Sequence, residues 1–407
     1  MELRSYQKAI VDRGVETLRR YGFVYLAMEV RTGKTLTALS IAEAMGVESV
    51  AFLTKKKALP SIGADADALC PSYEFFAINY ESAHKLPKVD WDLIVLDEAH
   101  ILGAYPKPSK RAKAVREMVK GRYVILLSGT PTPESYSQMY HQVYGIGRNP
   151  FARYRNFYRF CDDYVDVKER VINSLPMKFY DKGLPSILTA MQPYMISFSQ
   201  KEAGFKSQLN EHILRVPMEP RTYEMCKRLK ADRVIDGKDE VVLADTPVKL
   251  MQKLHQMYSG TVKFESGKAM VFDHTKAQYI RDKFRGKKIG IFYKFKAELT
   301  ALQEVYGNDL TTDVEEFAVG PKTIALQIVS GREGISLRAA QALVYYNIDF
   351  SATSYWQSRD RMTTKDRTES DIYWVFAERG IETKIHKAVS GKKDYTLSHF
   401  RRDVLTL

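Results

Sequence analysis

The chain has 407 residues, of which 45% are hydrophobic and 27% are charged, so it is long enough for two or three hydrophobic cores. No apolar run approaches membrane-spanning length, and Glu2 and Arg4 precede any apolar stretch, which argues against a signal peptide. Cys70, Cys161 and Cys226 lie far apart, which predicts buried thiols and not a zinc site or disulfide. We therefore expect a cytoplasmic protein without a membrane partner.

Basic residues outnumber acidic ones, with 62 Lys and Arg against 49 Asp and Glu and a formal net charge of +13. Such a surplus favours polyanions, nucleic acid above all, because binding releases counterions. Four clusters could follow a phosphate backbone: Lys55–Lys57, Lys107–Lys120, Arg285–Lys288 and Arg401–Arg402. Each cluster could instead be a solvated helix face or turn.

Apolar strands alternate with amphipathic helices in the first third of the chain, in the manner of βαβ units. The predicted parallel strands are Val24–Met28, Ser49–Leu53, Phe75–Asn79, Leu93–Leu96 and Tyr123–Leu127. This pattern predicts an α/β fold with candidate site residues at the carboxyl ends of the strands.

A phosphate-binding loop is predicted directly after the first of these strands. Its residues Arg31, Thr32, Gly33, Lys34 and Thr35 are our candidates for binding the nucleotide. A turn at Gly33 lets backbone amides approach phosphate oxygens, Lys34 can reach the β and γ phosphates, and the Thr35 hydroxyl can ligate Mg²⁺. A helix follows, so the phosphates would meet its N-terminus.

Two carboxylates follow the buried strand Leu93–Leu96, in the sequence Asp97-Glu98-Ala99-His100. We expect Asp97 to hold Mg²⁺ and Glu98 to orient and polarise the attacking water. The alternative is a solvated acidic turn, which the phosphate loop upstream disfavours. The predicted cofactors are ATP and Mg²⁺.

An aromatic-rich helical stretch runs from Ser135 to about Tyr164. Its rings could stack on bases, but their helical spacing favours packing of a helical insertion against the first lobe. The middle segment, residues 165–268, carries six prolines and predicts a hinge with a helical protrusion. A second alternating run follows, with predicted strands at Ile289–Tyr293, Thr323–Val329, Ala342–Tyr346 and Asp371–Phe376.

The motifs resemble those of superfamily 2 helicases. Asp97–His100 resembles their second motif and Ser128–Thr132 their third. Further segments, in family order, resemble the Snf2-like branch: Leu3–Gln7, Ile78–Ser82, Gly331–Leu337, Gln357–Arg361 and Gly380–Ile385. The resemblance implies two RecA-like parallel-sheet lobes with helical insertions: residues 1–164 with the insertion from about 135, and residues 269–407.

The resemblance also implies roles for individual residues. Gln7 would read the adenine, Gly334 would contact the nucleotide, and Gln357 and Arg361 would complete the catalytic set, with Arg361 as the arginine finger. Residues expected to contact nucleic acid are Thr54, Lys55, Lys56 and Ser336.

The chain departs from the family pattern at two positions. Arg31 stands where the family commonly has glycine, so its side chain must fold away from the nucleotide or touch it. Thr364 stands where a second arginine of the sixth motif is expected, and Arg359, Lys365 and Arg367 are nearby substitutes. Compact Snf2-like proteins encoded by bacteriophages are the relatives we expect to tolerate such changes.

These observations predict a monomeric, ATP-dependent translocase on duplex or branched DNA in replication, recombination or repair. It would act in the host cytoplasm if phage-encoded, with or without a loading partner. One alternative is a strand-separating DNA or RNA helicase. Another is a nucleotide-gated nucleic-acid clamp with little turnover, and a metabolic kinase would leave the Ser128 and Gln357 motifs without a role.

Overall fold

Two six-stranded parallel sheets form the framework of the chain. The computed structural model describes residues 3–172, 175–204, 208–237, 239–331, 337–362 and 369–391. The chain divides into two units, Met1–Gly204 and Phe205–Leu407, and each unit contains one of the sheets. The predicted class, α/β with two RecA-like parallel-sheet lobes and helical insertions, is confirmed.

The first unit has the strand order β3-β2-β4-β5-β1-β8, and every neighbouring pair is parallel. β4 is buried along its whole length because helices and loops cover both faces of the sheet. The elements are α1 Ser5–Tyr21, β1 Phe23–Met28, α2 Lys34–Met45, β2 Ser49–Thr54, α3 Leu59–Leu69, β3 Glu74–Asn79, β4 Leu93–Leu96, α4 Lys110–Met118, β5 Tyr123–Leu127, α5 Met139–Val143, α6 Phe157–Tyr164, β6 Lys168–Ile172, β7 Leu175–Phe179, α7 Ser186–Met191 and β8 Met195–Phe198.

The second unit has the order β15-β16-β14-β17-β18-β9, again parallel throughout. Its apolar side chains form one continuous core. The elements are β9 Gln208–Val216, α8 Pro220–Asp232, β10 Val234–Asp236, β11 Val241–Leu243, α9 Pro247–Met257, β12 Thr261–Lys263, β13 Ala269–Val271, α10 Thr275–Lys283, β14 Ile289–Tyr293, α11 Lys296–Tyr306, β15 Leu310–Thr311, α12 Val314–Val319, β16 Thr323–Gln327, α13 Ile328–Gly331, β17 Ala342–Tyr345, α14 Ala352–Arg359, β18 Glu369–Ala377 and α15 Glu382–Ser390.

The segment 165–268, which the sequence marks as a hinge and helical protrusion, contributes an outer strand to both sheets. β8 pairs with β1 in the first unit, and β9 pairs with β18 in the second. The units therefore divide near Gly204, away from the expected boundaries at 164 and 268. Both strands are outermost in their sheets, and such strands carry a weaker apolar signal than central ones.

The aromatic stretch after Ser135 packs inside the first unit. Tyr140, Phe151, Phe157 and Phe160 are each at most 3% exposed and belong to one core cluster. These rings cannot stack on bases while buried, so the packing interpretation is correct for them. Tyr158, at 46% exposed, lies outside that core.

The burial of the three cysteines and the apolar character of the helices can be compared with the sequence predictions. Cys161 and Cys226 are buried as predicted, but Cys70 is exposed, so the expectation was wrong for that thiol. No helix within the described ranges combines the length and the apolar character needed to cross a bilayer.

Candidate functional site

The carboxyl ends of three neighbouring strands bring the predicted nucleotide-site residues to one edge of the first sheet. β5 lies between β1 and β4, and all three strands run in the same direction. The phosphate loop follows β1, Asp97 follows β4 and Ser128 follows β5. Open α/β sheets hold ligands at this edge, so the topology supports the predicted location.

The phosphate loop is held by contacts to its own backbone and to α1. Gly33 has φ +82° and caps α2, which begins at Lys34. Thr32 is fully buried, and its hydroxyl donates to the Glu29 carbonyl at 2.7 Å. The Gln7 amide lies 3.4 Å from the Gly33 carbonyl, and a Cβ on Gly33 would come within 2.5 Å of that amide nitrogen. Gln7 therefore braces this loop, and its adenine contact stays a prediction.

Arg31 has φ +64°, in the left-handed region that disfavours residues with a Cβ. This conformation gives a physical reason for the glycine that the family commonly has there, because glycine adopts it without strain. Arg31 therefore keeps the backbone conformation that a glycine would adopt at this position. Arg31 is partly buried in this loop.

Asp97 is held at the end of β4 by three hydrogen bonds. The Thr54 hydroxyl donates to the Asp97 carboxylate at 2.6 Å, the Tyr80 hydroxyl donates to the Asp97 carbonyl at 2.7 Å, and the Asp97 amide donates to the Leu53 carbonyl at 2.8 Å. Thr54 is fully buried. Its expected contact with nucleic acid is therefore corrected, because its hydroxyl positions Asp97 and does not face solvent.

The pKa of Asp97 is raised to about 6 by burial and by the neighbouring Glu98 carboxylate, against the opposing effects of the Thr54 hydrogen bond and the Lys34 charge. A cation bound here would stabilise the ionised carboxylate. One carboxylate and the Thr35 hydroxyl are hard oxygen donors of the kind that Mg²⁺ takes together with substrate phosphates. No group of three or more His, Cys, Asp or Glu suited to a metal ion occurs among the described residues. Binding of Mg²⁺ by Asp97 and Thr35 stays a prediction.

Glu98 connects the second motif to the third through His100. Its backbone is left-handed, with φ +51°, and its carboxylate lies 3.2 Å from His100 Nδ1. The same nitrogen lies 3.0 Å from the Ser128 hydroxyl, which accepts a hydrogen bond from the Thr130 amide. Strain at a non-glycine residue of this kind is common at functional sites.

Gly129 places the third motif beside the phosphate loop, since a Cβ built on it would lie 3.6 Å from Lys34 Nζ. The Lys34 ammonium is also 3.3 Å from the Glu29 carbonyl. The structure thus brings Lys34, Asp97, Glu98 and Ser128 together within the first unit. Lys55 and Lys56 lie just past β2, where Lys56 is exposed, and their nucleic-acid contacts stay predictions.

In the second unit the residues around the sixth motif are only partly within the described ranges. Arg361 follows α14, and its carbonyl accepts a hydrogen bond from the Leu337 amide at 3.0 Å. The backbone of Gln357 lies on α14. Gly334 and Ser336 fall outside the described residues, as do Thr364, Lys365, Arg367 and the side chain of Gln357.

Arg359 is held by other contacts and is a poor substitute for the second arginine. Its side chain is 12% exposed, ion-pairs with Glu211 on β9, and lies 4.9 Å and 4.8 Å from the ring centroids of Tyr355 and Trp356. The same carboxylate accepts hydrogen bonds from Tyr355 and from Trp374, each at 2.9 Å. Sequence analysis missed Glu211, because only the pairing of β9 with β18 brings it to α14.

The pKa of Glu211 is lowered to about 2. Burial acts in the opposite direction, but the His386 side chain, the Arg359 charge and the hydrogen bonds from Trp374 and Tyr355 outweigh it. We call this set the Glu211 network: Glu211, Tyr355, Arg359, Trp374 and His386. It joins β9, α14, β18 and α15 around one carboxylate.

A family model described as the SNF2-related domain matches residues 45–272, more than half of the chain. The chain belongs to the SNF2-related family. It is 23% identical, over 88% of its length, to the Xenopus tropicalis SWI/SNF-related matrix-associated actin-dependent regulator of chromatin subfamily A-like protein 1. It is 20% identical, over 85% of its length, to the ISWI chromatin-remodeling complex ATPase ISW1 of Saccharomyces cerevisiae. The aligned regions span 41% and 32% of those relatives.

Two solved structures are similar to this SNF2-related chain at 15% identity. One is the Sulfolobus solfataricus SWI2/SNF2 ATPase core in complex with dsDNA, with a TM-score of 0.42 over 100% of this chain and 93% of that one. The other is the Sulfolobus solfataricus SWI2/SNF2 ATPase core domain, with a TM-score of 0.43 over 96% and 89%.

Proposed function

We propose that the chain is a DNA-dependent ATPase that couples hydrolysis of ATP to movement along duplex or branched DNA. The observation that carries the proposal is the assembly of Lys34, Asp97, Glu98 and Ser128 at one sheet edge of a chain in the SNF2-related family. The net charge of +13 supports a polyanionic track.

Different residues of the first unit bind the triphosphate, bind Mg²⁺ and activate the attacking water. The phosphate loop and the N-terminus of α2 bind the triphosphate, with Lys34 reaching toward the β and γ phosphates. Thr35 and Asp97 would hold Mg²⁺, which would neutralise charge on the phosphates. Glu98 orients and polarises the attacking water. Because His100 contacts both the Glu98 carboxylate and the Ser128 hydroxyl, it couples the charge of Glu98 to the position of Ser128.

In the second unit we assign the arginine finger to Arg361 and a supporting role to Gln357 and Gly334, on the strength of the family motifs alone. An arginine finger stabilises charge that builds on the transferred phosphoryl group. Phosphate loss would then release Arg361, and alternation between the bound and released states would produce a step along the track.

Replication, recombination or repair of DNA is the role we propose, with the chain acting as a monomer in the cytoplasm, or in the host cytoplasm if a bacteriophage encodes it. The named relatives are a regulator of chromatin and a chromatin-remodeling ATPase, which supports DNA as the substrate. A loading protein is a further candidate partner.

The test is the ATPase rate with duplex, forked, four-way-junction and single-stranded DNA and with RNA, each at two salt concentrations. We expect stimulation by duplex or branched DNA that weakens as salt rises, because phosphate contacts release counterions. Stimulation by single strands or RNA with no response to duplex would refute the track. Strand displacement would favour the helicase alternative, and tight nucleotide-dependent binding without turnover would favour the clamp.

A further inference from the structure

Five basic side chains line one cavity of about 950 Å³ in the second unit. We call this the basic cavity, and its cations are Arg281, Arg285, Lys287, Lys288 and Lys322. Among the described residues, only two carboxylates, Asp282 and Asp309, share the lining. The cavity lies at the amino ends of β14 and β16, opposite the edge at which α13 follows β16.

The cations come from separate segments that the fold brings together. Arg281 lies on α10, Lys287 and Lys288 precede β14, and Lys322 precedes β16. Basic residues near a helix C-terminus commonly offset the helix dipole, which accounts for Arg281. That explanation does not extend to Lys287 and Lys322, which belong to no helix C-terminus.

The ion pairs at the cavity are exposed and therefore weak competitors for a ligand. Arg281 lies 3.6 Å from Asp309, Arg285 lies 3.2 Å from Asp282, and Lys322 lies 2.6 Å from Glu316. Exposed pairs of this kind contribute at most about 1 kcal/mol each. Lys287 is exposed and has no ion pair within the described part of the chain. Arg285, Lys287 and Lys322 can therefore turn toward an external anion at little cost. Arg281 and Lys288 are held more firmly, because they donate hydrogen bonds to the carbonyls of Val305 and Ala318.

The charges around the cavity favour phosphates at its rim over one anion held deep inside it. α10 and α11 both end at the cavity, with Phe284 and Tyr306 in its lining. Helix C-termini present carbonyl groups with partial negative charge, which disfavours a small anion bound between them. Long basic side chains on the rim suit a series of phosphates, such as a nucleic-acid backbone presents.

We propose that the basic cavity is a second nucleic-acid contact, whose rim binds backbone phosphates of the DNA on which the enzyme acts. This inference rests on the proposed function, since it assumes that DNA is the partner. A free phosphorylated molecule has the same chemistry, and the experiment below separates the two sources.

The test compares two double variants of the full chain with equal loss of charge. Arg285→Ala/Lys287→Ala removes two rim cations. Lys227→Ala/Arg228→Ala, on α8 of the same unit, is the control, since its side chains are also exposed and Arg228 pairs with Asp232 as Arg285 pairs with Asp282. Binding of a labelled duplex is measured between about 50 and 200 mM salt.

We expect the cavity variant to reduce the slope of log affinity against log salt by about 1.8, from about 0.9 for each lost phosphate contact. The wild type would then lose about twelvefold more affinity over that salt range than the cavity variant. Lys322→Ala, from the third segment, should reduce the slope by about 0.9. The control should keep the wild-type slope.

A cavity variant with the wild-type slope would overturn the inference. Calorimetry with pyrophosphate tests whether the cavity binds a free phosphorylated molecule instead. If pyrophosphate binds to the wild type and not to the cavity variant, and the salt slopes of the two proteins are equal, the cavity binds such a molecule and the inference about DNA is overturned. ATPase stimulation is measured on the same samples. A wild type that neither binds duplex nor responds to it refutes the proposed function, whereas normal stimulation with an unchanged slope refutes only the basic cavity contact.

Discussion

Glu211→Gln tests whether the Glu211 network holds α14 in place. Glutamine keeps an oxygen that can accept from Tyr355 and Trp374, but it removes the charge that faces Arg359. The Arg359 side chain is only 12% exposed, so its guanidinium would lose its ionic partner in a poorly solvated place. We expect the second unit to be destabilised.

The size of the effect follows from the pKa of Glu211. Its value falls from an ordinary 4.5 to about 2, which at about 1.4 kcal/mol per pKa unit corresponds to about 3 kcal/mol. Solvent screening of a side chain that is 24% exposed reduces this to about 2 kcal/mol. Because the folded-state pKa is the lower one, the stabilisation is complete well above 4.5 and is lost as the pH falls toward 2.

Hydrogen exchange of peptides from β9 and α14, with urea unfolding at pH 7 and pH 3, measures this contribution. The control is Glu304→Gln, which removes an exposed carboxylate paired with His274 in the same unit and should cost less than about 0.5 kcal/mol. We expect Glu211→Gln to cost about 2 kcal/mol at pH 7, with more than half of that cost gone by about pH 3. Equal stability of the two variants at pH 7, or a cost that does not change with pH, would show that the Glu211 charge does not stabilise the second unit.

Two further predictions concern the first unit. Arg31→Gly should keep ATPase activity and melt no lower than the wild type, because glycine adopts φ +64° without strain. Arg31→Val should lose about 1–2 kcal/mol in thermal melts, because a β-branched side chain is more strained at this φ than the unbranched Cβ of arginine. A Val variant as stable as the wild type would contradict this. Thr54→Val should raise the pKa of Asp97 and move the acid limb of the ATPase pH profile upward, since it removes the 2.6 Å hydroxyl donor. Thr222→Val, which removes a buried hydroxyl from Asp273 in the second unit, is its control and should leave that profile unchanged.

Local sequence signals predicted the parts of the site that lie at strand ends. The phosphate loop, Asp97-Glu98 and Ser128 each follow a short apolar run, and the fold brings them to one sheet edge as expected. Three strands also have the predicted bounds: Leu93–Leu96, Tyr123–Leu127 and Ile289–Tyr293. Such features depend on neighbours in the chain, which the sequence displays directly.

Features that depend on distant residues could not be predicted. The Thr54 hydroxyl meets Asp97 across 43 positions, and nothing near Thr54 in the sequence distinguishes a buried donor from an exposed contact. Glu211 and Trp374 are 163 positions apart and meet only because β9 pairs with β18. β16 ends at Gln327, two residues before the end of the predicted strand Thr323–Val329. The prediction ran too far because Ile328 and Val329 continue the apolar run, although the backbone turns into α13 there.

Phosphate release by Glu98→Gln in the presence of duplex DNA, measured beside binding of a fluorescent ATP analogue, shows whether the assembled site hydrolyses ATP. We expect the variant to bind the analogue as the wild type does and to lose at least about a hundredfold in DNA-stimulated hydrolysis, because the carboxylate that polarises water is gone. Hydrolysis at the wild-type rate by a folded Glu98→Gln variant would contradict this expectation.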